Sequence, residues 1–242
     1  MRALAALTLG AWATLVVGDL MGYAWLVQHD VLFETGTLSL PVAIPLFLAA
    51  WQLMTAAMML PTALPTATLF TRASRSQDRR RLALAAFLAA YFTVWTGFAV
   101  VALSGDKAVH TVVDLWPWLD QRPHVVTGGV LITAGIGQLS GLTERCLDAC
   151  RNPLHSLLRF YERGVGAAWR LGLRHGAFCL GCCWPLMLVL FGVGVGSIPL
   201  MLGFAAIMLG TKTAPGGQRL LRPIGVGLIA GGVVLLATAL AA

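Results

Sequence analysis

Charge is what this sequence has least of: Asp, Glu, Lys and Arg make up 11% of its 242 residues, against about 25% in an ordinary soluble domain. So few charged side chains cannot cover a globule of this size, which excludes a soluble enzyme, a disordered chain and a coiled coil. Acidic residues are the scarcer sign, 10 against 17 basic ones, leaving a net charge of +7. Familiar catalytic signatures are missing too. The chain has no GxGxxG or Walker loop, no HExxH helix and no GxSxG elbow, so nucleotide, zincin and serine-hydrolase chemistry have no foothold. No histidine falls well inside an apolar run, so no haem is expected. What the chain does have is hydrophobicity, with 58% apolar residues and a mean hydropathy of +0.80.

At roughly 20 residues per span, this composition predicts an all-α fold: a polytopic transmembrane helical bundle of about seven spans (six to seven), forming a single integral-membrane domain over residues 1–242. The apolar runs lie near 3–27, 42–64, 82–104, 125–145, 177–195, 198–211 and 224–241. The fifth and sixth are short and broken by Gly194-Val195-Gly196-Ser197 and Pro199, which reads as a tight helical hairpin. Met1–Gly22 resembles a secretory signal through Arg2 and Ala11-Trp12-Ala13. Because the run continues past Asp19 to Val27, it is read as a retained first span.

The basic residues orient these spans. Fifteen of the 17 fall at the N-terminus or in the 72–81, 144–176 and 211–223 connections, Lys212 among them. Only Lys107 and Arg122 lie on the other side, beside Asp30, Glu34, Asp106, Asp114 and Asp120. The positive-inside rule then predicts a cytoplasmic N-terminus and, with seven spans, a C-terminus outside. Basicity that follows topology in this way is no sign of nucleic-acid binding. Between spans four and five, Leu157, Leu158, Phe160 and Tyr161, then Trp169, Leu171 and Leu173, alternate with arginines around Gly164 and Gly166. That pattern predicts short amphipathic helices on the inner leaflet.

All five cysteines fall within residues 146–183. Cys146 and Cys150 end span four, and Cys179, Cys182 and Cys183 lie just inside span five. Spacings of three and four put the second group on one helix face, and extending that stripe by four in each direction adds His175 and Met187. The two spans are antiparallel, so both groups share the cytoplasmic leaflet, where thiols stay reduced. Apolar packing, a redox dithiol and metal ligation are the chemistries open to such a cluster. Packing cysteines would not gather in one leaflet, and the C-x-x-C lacks a thioredoxin context, so metal ligation leads. Thiolate and thioether donors suit Cu(I), the expected metal, with zinc as the alternative.

Span two adds Met54 and Met58, one turn apart with Met59 beside them. They lie about 7–15 Å in from an inner boundary near Leu64, at the helical rise of about 1.5 Å per residue, a depth similar to that of the thiols. Gln138, Leu142, Cys146 and Cys150 form a ladder of four-residue steps that turns Gln138 toward the same interior, as a ligand or as an interhelical hydrogen-bonding group. Asp19 is the one acid placed inside a span, where such residues are functional or structurally hydrogen-bonded. Outer His29, His110 and His124, near Asp30, Asp106 and Asp114, read as solvated loop histidines rather than a second metal site.

In order along the chain, Trp51-x-x-Met54-x-x-Ala57-Met58-Met59-Leu60-Pro61, Tyr91-x-x-x-Trp95, Gly137-Gln138, Cys146-Leu147-x-x-Cys150-Arg151-x-Pro153 and His175-Gly176-x-x-Cys179-x-Gly181-Cys182-Cys183-Trp184-x-Leu186-Met187 resemble a bacterial domain-of-unknown-function family of predicted metal-binding integral membrane proteins. The resemblance spans Trp51 to Met187 and implies a multi-pass protein of the bacterial inner membrane that binds metal; it implies no reaction. The sequence departs from that family where a Gly-x-Met is usual, with Gly194-Val195-Gly196, and where a Glu-Lys pair is usual, with Thr211-Lys212. The expected function is handling of a soft metal through Cys and Met ligands in the cytoplasmic leaflet. The alternatives are a membrane oxidoreductase working through its thiols or a thiol-bound metal, and an assembly or structural subunit of a larger membrane complex. Expected partners are membrane lipid, the metal ion, and a membrane protein or second copy of the chain.

Overall fold

A computed structural model describes residues 2–23, 38–193 and 197–241. Among these residues every regular element is helical. Before the chain midpoint come α1 (Arg2–Leu20), α2 (Leu40–Met58), α3 (Leu60–Ala73), α4 (Arg80–Leu115) and the single turn α5 (Pro117–Asp120). After it come α6 (Pro123–Gln138), α7 (Gly141–Arg151), α8 (Pro153–Phe160), α9 (Val165–Val193), α10 (Ile198–Thr213), a 3-10 turn (Gly217–Leu220) and α11 (Leu221–Ala241). Prolines set the starts: α2, α3, α5, α6, α8 and α10 each carry one in the first two helical positions, where its missing N–H costs nothing. Gly22, at φ +79°, ends α1 in a left-handed cap.

Among the described residues five helices are long and apolar enough to cross a membrane, and a sixth candidate is the pair α6–α7, bent by 59°. That is fewer than the seven expected spans. The sixth expected span, α10, has 16 residues, about 24 Å at the helical rise, against a hydrocarbon core of about 30 Å. Three boundaries also move. Span two breaks at Met59 into α2 and α3. Span four breaks at Leu139-Ser140, where the Ser140 hydroxyl caps α7 by accepting from Thr143 N. The segment around Trp169–Arg174, expected as an interfacial helix, is instead part of the 29-residue α9; α8 is the short separate helix that remains. Residues 24–27 of span one and the hairpin turn at 194–196 lie outside the described residues, as do His29, Asp30 and Glu34.

Helix α9 is the hub, packing along α4 and also touching α6, α7 and α10, while α11 lies along α6. The α6–α11 seam is made by glycines at heptad spacing. A Cβ on Gly135 would lie 2.7 Å from the Gly225 carbonyl oxygen, and one on Gly232 would lie 2.7 Å from that of Gly128. Small residues of this kind let apolar helices approach where the hydrophobic effect gives no help. Gly135→Ala is therefore expected to overpack the seam and lower stability by about 1–3 kcal/mol, read as a drop in the thermal unfolding midpoint in detergent. An unchanged midpoint would show that the seam can relax.

At the arginine-rich end, the 72–81 loop is bonded to the α8–α9 connection. Tyr161 Oη donates to the Ala73 carbonyl at 2.8 Å, Gln77 Nε2 donates to Tyr161 Oη at 2.9 Å, and Gly164 N donates to Gln77 Oε1 at 3.2 Å. Two basic connections that lie far apart in sequence thus meet on one face.

Candidate metal centre

The bend after Gln138 lays α7 against α9. Ser140 makes the corner, and Thr143 Oγ1 ties it by donating to the Gly137 carbonyl at 2.8 Å. Opposite Cys146 the α9 residue is Gly181, where a Cβ would come within 2.5 Å of Cys146 Sγ. Glycine at 181 is thus what lets the α7 thiols sit on the α9 backbone. One turn further along, Cys150 Sγ stands 3.8 Å from Cys182 Sγ, and Cys182 Sγ stands 3.8 Å from Cys183 Sγ. Two sulfurs bound to one tetrahedral ion at about 2.3 Å each are about 3.8 Å apart. All five cysteines are free thiols.

The α9 stripe holds together, with Cys179 hydrogen-bonded to Cys183; Cys182 reaches across to Cys150, while Cys179 also meets the Lys212 ammonium and the Tyr91 hydroxyl. Lys212 Nζ donates to Cys179 Sγ at 3.1 Å and to Thr62 Oγ1 at 3.2 Å. Tyr91 Oη lies 3.2 Å from the same sulfur and 3.3 Å from the Met59 carbonyl oxygen, to which it donates. Lys212 was expected in a cytoplasmic loop; instead it is 6% exposed, at the end of α10, with the thiols of Cys179, Cys182, Cys183 and Cys150 around it. Arg151, also counted with the loop, donates to the Thr211 and Ala214 carbonyls and so pins the end of α10 to the end of α7.

His175 stacks on both Phe87 and Tyr91, with ring centroids 5.8 Å apart in each case. Its Nε2 is buried with no hydrogen-bond partner among the described residues. Met54, Met58 and Met187 are fully buried and share one core cluster with Cys146, Cys179, Cys182 and Cys183. Met59, Met201 and Met208 belong to that cluster as well, which makes the interior unusually rich in soft, polarisable side chains. Among the described residues no three His, Cys, Asp or Glu side chains form a ready-made ion cage. Three sulfurs instead follow one another at 3.8 Å, Cys150 to Cys182 to Cys183, with the Lys212 ammonium held by nearby Cys179.

A protein-family profile described as copper chaperone, PpoB2, matches residues 48–235. The chain belongs to that family. The match takes in every thiol, the methionines from Met54 onward and Lys212, and leaves out α1. The PpoB2 description agrees with the metal-binding half of the resemblance drawn from the sequence and is silent on the membrane. No curated protein and no solved structure shows significant similarity to the chain.

The other expected polar residues lie apart from the thiols. Gln138 is 1% exposed, but the break after it interrupts the ladder to Cys146, and its Oε1 has no partner among the described residues. Asp19 is exposed in the last turn of α1, on the wall of an apolar groove of about 690 Å³ between α1 and α2. His110 pairs with Asp106 at 3.3 Å, and His124 is exposed. Sequence reasoning missed Lys212, Tyr91, Thr62 and Arg151 as parts of the centre. The available signal for Lys212 was a lone lysine in the last turn of an otherwise apolar helix.

Proposed function

We propose that this protein is an integral membrane copper chaperone that holds Cu(I) on thiolate and thioether ligands within the cytoplasmic leaflet of the bacterial inner membrane. The observation that carries the reading is the sulfur row Cys150–Cys182–Cys183, at 3.8 Å spacings, walled by buried methionines in a copper-chaperone family member. Thiolates neutralise the metal's charge, which lowers the cost of holding it away from water. Thioethers favour copper over zinc. Cys182 and Cys183 are the core ligands, Met54, Met58 and Met187 the soft wall, and Cys150, Cys146, Cys179 and His175 the flanking donors.

The decisive experiment is elemental analysis of the full chain, purified anaerobically in detergent from copper-replete and zinc-replete cultures. Near-stoichiometric copper, lost progressively as protons compete for the thiolates at lower pH, is the expected result. Absence of copper under both conditions would overturn the reading. Intact-mass analysis after alkylation in denaturant should count five free thiols once metal is removed; a disulfide between Cys150 and Cys182 would instead favour the redox alternative.

The membrane placement has its own test. A reporter fused after Gln77 should read cytoplasmic and one after Leu119 periplasmic. The reverse would put the thiols on the oxidising side and remove the basis for Cu(I) chemistry there.

A further inference from the structure

Of the three aligned sulfurs, two are shut inside the core and one is not. Cys182 is 5% and Cys183 1% exposed, whereas Cys150 is half-buried. Cys150 also sits on a different kind of element, the eleven-residue α7 beyond the 59° bend, while its two neighbours are embedded in the long hub helix. The chain neighbours of Cys150, Asp148, Ala149 and Asn152, with His155 and Phe178, line a recess of about 520 Å³ at the α7–α8 corner, although the Cys150 side chain is not itself on that wall. At the far end Cys179, hydrogen-bonded to Cys183, is engaged by Lys212 and Tyr91, so the row ends there among buried groups.

Resting on the copper reading above, we propose that Cys150 is the exchange thiol of this site: the port at which a thiol-bound Cu(I) carrier exchanges its metal, with Cys182 and Cys183 as the holding pair. The chemistry is ligand substitution with no change of oxidation state. The Cys150 sulfur forms a bond to Cu(I) as one carrier thiolate departs, taking up the proton that Cys150 gives. Cys182 then displaces the second carrier thiolate in the same way. Two carrier thiols leave, and the bis-thiolate complex keeps its single negative charge throughout. Cys183, 3.8 Å beyond Cys182, takes the place of Cys150, which regains its proton and is free for the next exchange. Each step moves the ion between neighbouring sulfurs, so no bare Cu(I) has to cross apolar protein.

This assignment separates rate from occupancy. With Cu(I) supplied anaerobically as its bis-bicinchoninate complex to the detergent-solubilised full chain, Cys150→Ser should slow loading at least ten-fold and still reach wild-type copper content. Wild-type loading speed would overturn the assignment, and so would loss of copper at the endpoint, since Cys150 would then be a holding ligand. A second measurement needs no variant. In the copper-free protein, iodoacetamide should modify Cys150 at least ten-fold faster than Cys182 or Cys183, and copper loading should protect the latter two while Cys150 stays reactive. Equal reactivity of the three thiols, or protection of Cys150 along with the others, would overturn it. If the wild-type chain takes up no copper at all, the chaperone reading itself fails, an outcome distinct from a loading rate insensitive to Cys150.

Discussion

Replacing Cys182 and Cys183 together with serine is expected to strip the protein of near-stoichiometric copper. The two sulfurs lie side by side on α9, one of them 3.8 Å from Cys150, and serine puts a hard oxygen where Cu(I) needs a soft donor. Cys150 then has no partner across the α7–α9 contact, and Cys179 stays occupied with Lys212 and Tyr91. Even outer-shell partners of metal sites cost about 10–100-fold in affinity when removed, so losing two ligands should exceed about 100-fold. Serine fits the space of the thiol, and a monodisperse elution profile separates ligand loss from misfolding. Met54→Leu with Met58→Leu should weaken copper far more than zinc, because only the thioether preference is removed. Full copper retention in the double cysteine variant would place the site elsewhere.

Lys212→Met should weaken Cu(I) binding by a comparable factor. A Cu(I) ion on two thiolates carries a net charge of −1, and in a dry core an uncompensated charge is expensive. Lys212 is the buried cation among these thiols, holding Cys179 at 3.1 Å. Breaking one side of a buried charge pair typically costs about 3–5 kcal/mol, or roughly 100- to 4,000-fold in affinity. Methionine keeps the length and apolar stem of lysine while removing its charge. Competition against a chelator of known affinity reads the effect, and Lys212→Arg should recover part of it. Unchanged affinity in Lys212→Met would show that the ammonium serves packing alone.

Hydropathy made the helical character legible because every apolar run needs its backbone satisfied locally, and runs such as 82–104 and 224–241 fall within α4 and α11. The breaks were harder to read. Pro61 was a local signal for the break at Met59, yet Pro45 and Pro185 sit inside unbroken helices, and Met59 is held by a long-range bond from Tyr91, 32 residues away. The break at Leu139-Ser140 had a local signal, a serine able to cap, yet a serine inside an apolar run is read equally well as an ordinary span residue. Cysteine spacing put Cys150 near Cys182 because both groups fell at the same end of antiparallel segments. It could not place an ammonium on the α9 stripe, since Lys212 reaches Cys179 from 33 residues away. Residue type pointed the same way as misplacement: a lysine next to a loop is counted as loop charge, and its burial follows only from how α10 returns to the bundle.

The corner at Leu139-Ser140 has a consequence for the order of assembly. A membrane-spanning helix is fixed in place by the bilayer itself, but an eleven-residue helix of alternating charge such as Gly141–Arg151 is too short to be held that way. Its position depends on docking to surfaces that exist only after α9 and α10 have arrived: the Gly181 hollow for Cys146 and the α10 carbonyls for Arg151. Since the chain is made from its N-terminus, α7 emerges with only its tie to the Gly137 carbonyl in place and docks on α9 and α10 after they arrive. Until it does, two of the five thiols stand apart from the other three. Newly made protein should therefore pass through a stage in which α6 and α9 are inserted and α7 is still open to protease, and bound metal should shorten that stage by joining the two halves.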